Sequence, residues 1–489
     1  MQALSSKVLF DHVDNLFPQL DTNRKHLGVG LALLLTQQAW AVPETNLGTF
    51  GQTQLQQDTG DAVQQTCGGF VAAGADANAV PLFATCRAMV HTGNELNADN
   101  EGPTAFSLGL SEDQLAASLQ QIATEEFAAT ESMATEIADS RMDPVMTRLV
   151  ELRGGSRGFS VAGLLPGNDN DAEVLAMNGW SDTAGASGGA AGADDLGSSL
   201  GGFINASYGT GERDDTDRTD SFEYDSYNIM LGIDYRFASD FVLGAAINYY
   251  NIDSDFDEKP TVSGGDIEAD GWGGSVYATW YRENFYFDAV AGYASSDYDL
   301  NRSIFIPDNN PNSPGITETA QASPESTDFT FGIGAGYNFN RDALNWGPYF
   351  RATYINVDTD DYQERGAEAS GLNLRVNGEE WESLTTVLGA QFSYALSRGF
   401  GVLMPHIRLG WIHQFENDAI DMTAVYVDDP RSNVLKATTD DPDEDYAELA
   451  VGFSAAFKGG MQAFFNYDTL LGFDELTTHL FTVGVRWEY

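Results

Sequence analysis

From Gly202 to the end of the 489-residue chain, apolar and polar positions alternate with a period of two. Between Tyr227 and Arg236, one face carries Tyr227, Ile229, Leu231, Ile233 and Tyr235, and the other Asn228, Met230, Gly232, Asp234 and Arg236. Phe329, Phe331, Ile333, Ala335, Tyr337 and Phe339 alternate in the same way with Thr330, Gly332, Gly334, Gly336, Asn338 and Asn340. Successive side chains of a β-strand point to opposite faces, so each segment reads as a strand with one apolar face and one small or polar face. A charged inward face would ruin a dry sandwich core but suits a water-filled lumen, and aromatic residues at strand ends suit the two interfaces of a bilayer. The pattern therefore predicts an all-β transmembrane barrel with Asp234, Arg236, Arg408 and Arg486 facing the lumen.

The connections give the topology. Short links near 237–240, 281–284, 340–345, 396–401 and 458–461 alternate with long ones near 211–221, 252–270, 297–326, 358–382, 416–444 and 468–477. Such alternation is that of a barrel with short turns at one end and loops at the other, and these links separate about twelve antiparallel strands. An even count puts both barrel termini at one end. A ten-residue strand tilted by roughly 40° spans about 25 Å, the height of the apolar band of such barrels. The last strand ends the chain with Phe481, Val483, Val485, Trp487 and Tyr489 on one face, opposite Thr482, Gly484, Arg486 and Glu488. A terminal aromatic beside a free carboxylate reads as an outer-membrane assembly signal.

Upstream the period is helical. Ser111-Glu-Asp-Gln114 makes a capping box ahead of Leu115, Leu119, Ile122, Ala129, Met133 and Ile137, and Asp143-Pro144 is expected to open a second helix that Gly154-Gly155 closes. Arg24 and Lys25, the apolar run from Leu27 to Leu35 and the small residues Ala39 and Ala41 read as a secretory signal cleaved after Ala41, with an unusually long segment before Arg24. The two cysteines, Cys67 and Cys86, lie after that signal, where a disulfide is expected, worth about 3 kcal/mol and stapling a helical hairpin. The Gly, Ala, Ser and Asp-rich stretch that follows has too little to bury and reads as a flexible linker. Four regions result: 1–41, a signal peptide with an extended n-region; 42–153, a small α-helical region; 154–200, the linker; and 201–489, the barrel.

Charge narrows the partners. With 24 Lys and Arg against 73 Asp and Glu, the formal net charge of −49 excludes nucleic acid bound through a basic face. Divalent cations at acidic external loops are the remaining electrostatic partner: Asp440, Asp441, Asp443, Glu444 and Asp445 could share Ca²⁺ or Mg²⁺ with lipid phosphates. Asp253-Ser-Asp-Phe-Asp-Glu258 lacks the glycine and distal glutamate of a calcium loop and reads as a solvated acidic loop. Catalysis and cofactors are not expected. The helical region has a single histidine, His91, read as a helix-surface residue, and no G-x-S-x-G context, while zinc lacks a four-ligand set. His406, His413 and His479 fall on predicted strands, in lumen or interface packing.

From Leu200-Gly-Gly-Phe-Ile-Asn-Ala-Ser-Tyr-Gly209 onward the chain resembles the autotransporter β-domain of type V secretion. The resemblance runs through Asp225–Phe237, Val242–Ala246, Gly347-Pro-Tyr-Phe350, Ser383-Leu384, Leu388-Gly389 and Met404–Phe415. It implies a twelve-stranded barrel in a Gram-negative outer membrane, in contact with outer-membrane lipid and served by periplasmic chaperones and the barrel-assembly machinery that reads the strand ending at Tyr489. It also implies a translocator that anchors or exports the N-terminal region to the cell surface. Two departures stand out: the region ahead of the barrel is short and lacks a 20-to-50-residue repeat, and the only Asn-Asn pair, Asn309-Asn310, falls in a predicted external loop, which leaves self-cleavage unsupported. The alternative is a channel for small solutes, with the helical region periplasmic or plugging the pore.

Overall fold

The computed structural model describes residues 46–97, 106–123, 142, 144–149, 152, 159–160, 176–177 and 200–488, except 239, 257–263, 311–314, 416–418, 442 and 458–460. The predicted signal with Ala39 and Ala41, the spacing at Ala129, Met133 and Ile137, the Gly154-Gly155 stop and Tyr489 lie outside the described residues. So does most of the 154–200 linker, in which only Phe159–Ser160 and Ala176–Met177, paired antiparallel, are described before Leu200.

Twelve strands close into a barrel. They are β1 (Leu200–Arg213), β2 (Phe222–Ala238), β3 (Phe241–Phe256), β4 (Asp266–Arg282), β5 (Phe285–Ile306) and β6 (Glu325–Tyr337), followed by β7 (Leu344–Thr359), β8 (Glu380–Tyr394), β9 (Gly401–Gln414), β10 (Asp445–Phe457), β11 (Gln462–Leu471) and β12 (Leu476–Glu488). Each pairs antiparallel with the next, and β12 returns to β1 with Val485 opposite Ile204. Closure leaves no unpaired edge, which a strand wall in lipid requires. The two faces follow the alternation: on β2, Ile229, Leu231 and Ile233 point outward, 52 %, 48 % and 60 % exposed, while Asn228, Met230 and Asp234 are buried inside. No helix among the described residues is long and apolar enough to cross a membrane.

The short links sit where the alternation placed them, but most of the long ones are not loops. β3 runs on to Phe256, β4 starts at Asp266, and β5 continues to Ile306, where Ile316–Ala322 folds back on it as a hairpin. The links at 358–382 and 416–444 hold Tyr362–Gln363, Leu374–Val376, Asp421–Tyr426 and Val434–Thr438, which form a separate four-stranded sheet. Asp253, Asp255, Glu268, Asp297 and Asp299 lie on the outer face of these extensions. Asp253 and Asp255 are exposed while Ile252, Ser254 and Phe256 between them are buried, so this stretch is strand rather than the expected acidic loop. Asp257 and Glu258 lie outside the described residues.

Three helices sit beyond the long-loop end. α1 (Gln54–Ala73) starts at a Thr53/Gln56 capping box and stops at Gly74, whose φ of 66° lies in the left-handed region glycine tolerates. α2 (Pro81–Leu96) begins on proline, which loses no helical hydrogen bond there. α3 (Glu112–Gln120) opens on the predicted Ser111/Gln114 box but ends before Ile122, shorter than its apolar spacing suggested. Cys67 and Cys86 are bonded, and Phe70 and Phe83 stack at 5.3 Å between the two helices.

Candidate functional site in the barrel lumen

Residues 144–149 are helical, as are Met142 and Leu152, so the helix is already under way before the Asp143-Pro144 start expected for it. Met142, Val145, Met146, Leu149 and Leu152 form one buried cluster with the inward side chains Phe203, Met230, Val242, Ala246, Tyr277 and Val290 of β1 to β5. The helix therefore lies inside the barrel. Gly332 on β6 leaves it room: a Cβ there would stand 3.1 Å from the Met142 Cε and 3.2 Å from the Met146 Cε.

An ion pair holds the helix to the wall. Arg148 donates to Asp234 Oδ2 from Nε at 3.0 Å and from Nη2, and its guanidinium lies over the Phe203 ring, 5.1 Å from the centroid. On the other side of the same carboxylate, Arg486 Nη2 of β12 stands 3.9 Å from Asp234 Oδ1. All three side chains are buried, so one carboxylate is shared by two guanidinium groups where water is scarce. Across the lumen lies a second network. Glu448 accepts from Tyr349 Oη and from Arg351 Nη2, each at 2.7 Å, and Arg408 Nη2 donates to Asp468 Oδ1 at 3.0 Å.

The structure thus brings Asp234 and Arg486 of the expected lumen residues together and places Arg408 in the second network. Arg236 is half-buried, with its guanidinium donating to Tyr281 Oη. Phe481, Val483 and Val485 of the final strand point outward; Trp487 lies on β12. His406 bonds Asn466 at 3.1 Å, His413 meets Asp445 at 3.0 Å and His479 meets Tyr467 at 2.9 Å. His91 is not on the helix surface: it is buried, and its ring lies 5.7 Å from that of Phe106, because residues 106–110 cover that face of α2. Arg148 was missed. Its signal was an arginine set among Val145, Met146, Leu149 and Leu152, on a helix otherwise apolar enough for a core.

Above the lumen, α1 to α3 rest on the barrel extensions. Helix residues such as Leu82, Met89, Leu115 and Leu119 share one buried cluster with Tyr250, Ile304 and other inward residues of the extended strands. Arg302 of β5, buried, donates to both Glu364 oxygens, at 2.9 and 2.6 Å, and to the Gln121 carbonyl at the end of α3 at 3.4 Å. The Asn309-Asn310 pair clasps the start of α3 and the chain leading to it: Asn309 Nδ2 donates to Gln114 Oε1 at 2.9 Å and Asn310 Nδ2 to the Ser107 carbonyl at 2.8 Å.

The outer wall of these extensions is acidic. Asp225 stands opposite Asp253, Asp253 opposite Glu268, and Glu268 opposite Asp299; one step along, Asp255 faces Asp266. Like charges directly opposite are destabilising, and are tolerated here because the face is solvated. Of the carboxylates expected to share cations, Asp440 accepts from Thr216 Oγ1 at 2.7 Å, Asp441 from the Ala419 amide at 3.0 Å and Asp443 from the Asp474 amide at 2.5 Å. No group of three or more His, Cys, Asp or Glu among the described residues is arranged to hold a metal ion.

A closed antiparallel barrel with an apolar outer face, a polar lumen occupied by a helix, and both termini at the short-turn end defines an outer-membrane translocator of autotransporter type. The model of the autotransporter β-domain family matches residues 202–468, more than half of the chain, and the chain belongs to that family. It sits accordingly in a Gram-negative outer membrane. Esterase EstA of Pseudomonas aeruginosa and of Pseudomonas putida are each 23 % identical to it over 229 residues. That stretch is 45 % of this chain and 32 % of theirs, so the chain spans about a third of the length of these curated relatives. Among solved structures, the translocator domain of autotransporter NalP from Neisseria meningitidis aligns with a TM-score of 0.47 at 15 % identity, covering 60 % of this chain and 90 % of that one. The transport unit of AIDA-I from Escherichia coli aligns with a TM-score of 0.44 at 16 % identity, covering 61 % and 92 %.

Proposed function

We propose that the cargo of this translocator is its own helical region, residues 42–153, delivered to the cell surface after removal of the leader at Ala41. The observation that carries the reading is where the chain passes. α1 to α3 pack at the long-loop end, Met142, residues 144–149 and Leu152 lie in the lumen, and β1 starts at the short-turn end, beside β12. Assembly through periplasmic chaperones and the barrel-assembly machinery, which would read the final strand through Phe481, Val483, Val485, Trp487 and Tyr489, belongs to the same reading. The role is secretion and anchoring without catalysis. The family match starts at residue 202, beyond α1 to α3, and the single histidine of the helical region, His91, is packed under Phe106. Free diffusion of solutes is disfavoured by the helix that fills the lumen.

The test is a single cysteine at Gln65, an exposed residue of α1, in a Cys67→Ser, Cys86→Ser background. Intact cells are treated with a membrane-impermeant maleimide. Labelling is expected. Labelling that needs the outer membrane to be opened would refute export and bring back a periplasmic domain.

A further inference from the structure

Resting on that reading, we propose that the exported helices are not released: they are a lid whose fold is completed by the barrel's own outer extensions and which closes the pore from outside. A released cargo would carry its own core and touch its carrier through a small polar contact. Here the core is common property. The buried residues of α1 to α3 are continuous with those of β2 to β5, the Ile316–Ala322 hairpin and the four-stranded sheet, so parting the two would open an apolar face on each.

The polar contacts across this boundary are equally shared. Thr85 Oγ1 of α2 donates to the Ser370 carbonyl at 2.9 Å, and the Asn309 amide donates to the Leu108 carbonyl at 3.0 Å. Leu108, in turn, is held from the helix side, its amide donating to Thr92 Oγ1 at 2.9 Å. The fit is close enough to demand glycine. Gly371 takes a φ of 74°, and a Cβ on it would stand 2.5 Å from the Leu82 amide nitrogen of α2. Arg302, with Glu364 beside it, reaches the last turn of α3 from a strand whose lower half is in the membrane. These are the features of an interior, spread over the extended strands, the Ile316–Ala322 hairpin and the four-stranded sheet.

The experiment severs the tether and asks whether the lid stays. A site for a sequence-specific protease is inserted between residues 123 and 142 of the full chain, and protease is added to intact cells. The cut helical fragment is expected to remain with the cells and to co-elute with the barrel after extraction in mild detergent. In a Gly371→Val background the cell-bound share should fall several-fold. A second background, Leu82→Arg, should do the same, and heat-modifiable migration in gels confirms an intact barrel in both. Release of the fragment without any interface substitution would overturn retention, as would full retention in both variants. Cutting that occurs only after the outer membrane is opened would instead refute export itself, and the two failures are thereby told apart.

Discussion

Asp234→Ala should loosen the lumen helix more than any other single change inside the barrel. The substitution removes the carboxylate shared by Arg148 and Arg486 and leaves two buried guanidinium groups facing one another. Breaking a buried pair by deleting one partner costs about 3–5 kcal/mol, because the remaining charge is left uncompensated. At about 1.4 kcal/mol per decade, the population with the helix displaced should rise by roughly 10² to 4 × 10³. Arg148→Ala is the contrasting case. It removes the same Arg148–Asp234 contact, but Asp234 keeps Arg486 at 3.9 Å, so its effect should be smaller even though it deletes a larger side chain. The assay is single-channel conductance in planar bilayers with purified full-length protein, where displacement of the helix reads as long-lived open events. Open time should rank Asp234→Ala above Arg148→Ala above the unsubstituted chain. Equal closure in all three, or Arg148→Ala the more open of the two, would refute the shared-carboxylate reasoning.

Other consequences are open to measurement. Arg302→Met strands Glu364 in the interface, and a cost of about 3–5 kcal/mol should make α1 to α3 protease-sensitive while the barrel stays heat-modifiable. Replacing Cys67 and Cys86 with serine removes a bridge closing a separation of 19 residues, worth about 3 kcal/mol, and should lower the thermal midpoint of the helical lid without moving that of the barrel. Partial desolvation against its neighbours on the outer face, and then the like charges of Asp255, Glu268, Asp266 and Asp225, hold the exposed Asp253 carboxyl above its ordinary range. The folded state therefore binds this proton more tightly than the unfolded one, and the penalty, full at neutral pH, is relieved as pH falls through the folded pKa. Acidification from pH 7 toward the ordinary carboxylate range should raise the midpoint of the extended strands, and Asp253→Asn should flatten that dependence; a midpoint that drops on acidification in both proteins would contradict it.

How far the sequence could be read varied with the range of the interaction involved. Alternation is local, so the inward set Asn228, Met230 and Asp234 and the outward set Ile229, Leu231 and Ile233 were legible residue by residue. The cap at Ser111 is local too. The strand extensions were lost because their outer face is rich in carboxylate, and the buried Ile252, Ser254 and Phe256 alternating with it were outvoted by composition. Arg148 and Asp234 are separated by 86 positions and meet only once the barrel has closed around the helix, so no spacing announces the pair. His91 was misplaced for a related reason: its cover, residues 106–110, is a turn brought over α2 by the descent into α3.

The unequal lengths of the strands have a mechanical consequence. β5 has 22 residues and β11 has 10. At about 3.3 Å per residue and a tilt of roughly 40°, that is a wall about 55 Å tall facing one of about 25 Å, and only the shorter matches the apolar thickness of the membrane. The barrel is cut on the slant, like a quill. A load pulling on the helices from outside would enter the wall on the tall side, where β5 supplies Ala294, Tyr298, Leu300, Ile304 and Ile306 to the cluster shared with them and β11 supplies none. Force applied at the surface would thus meet about twice the length of strand on the tall side before it reached the bilayer.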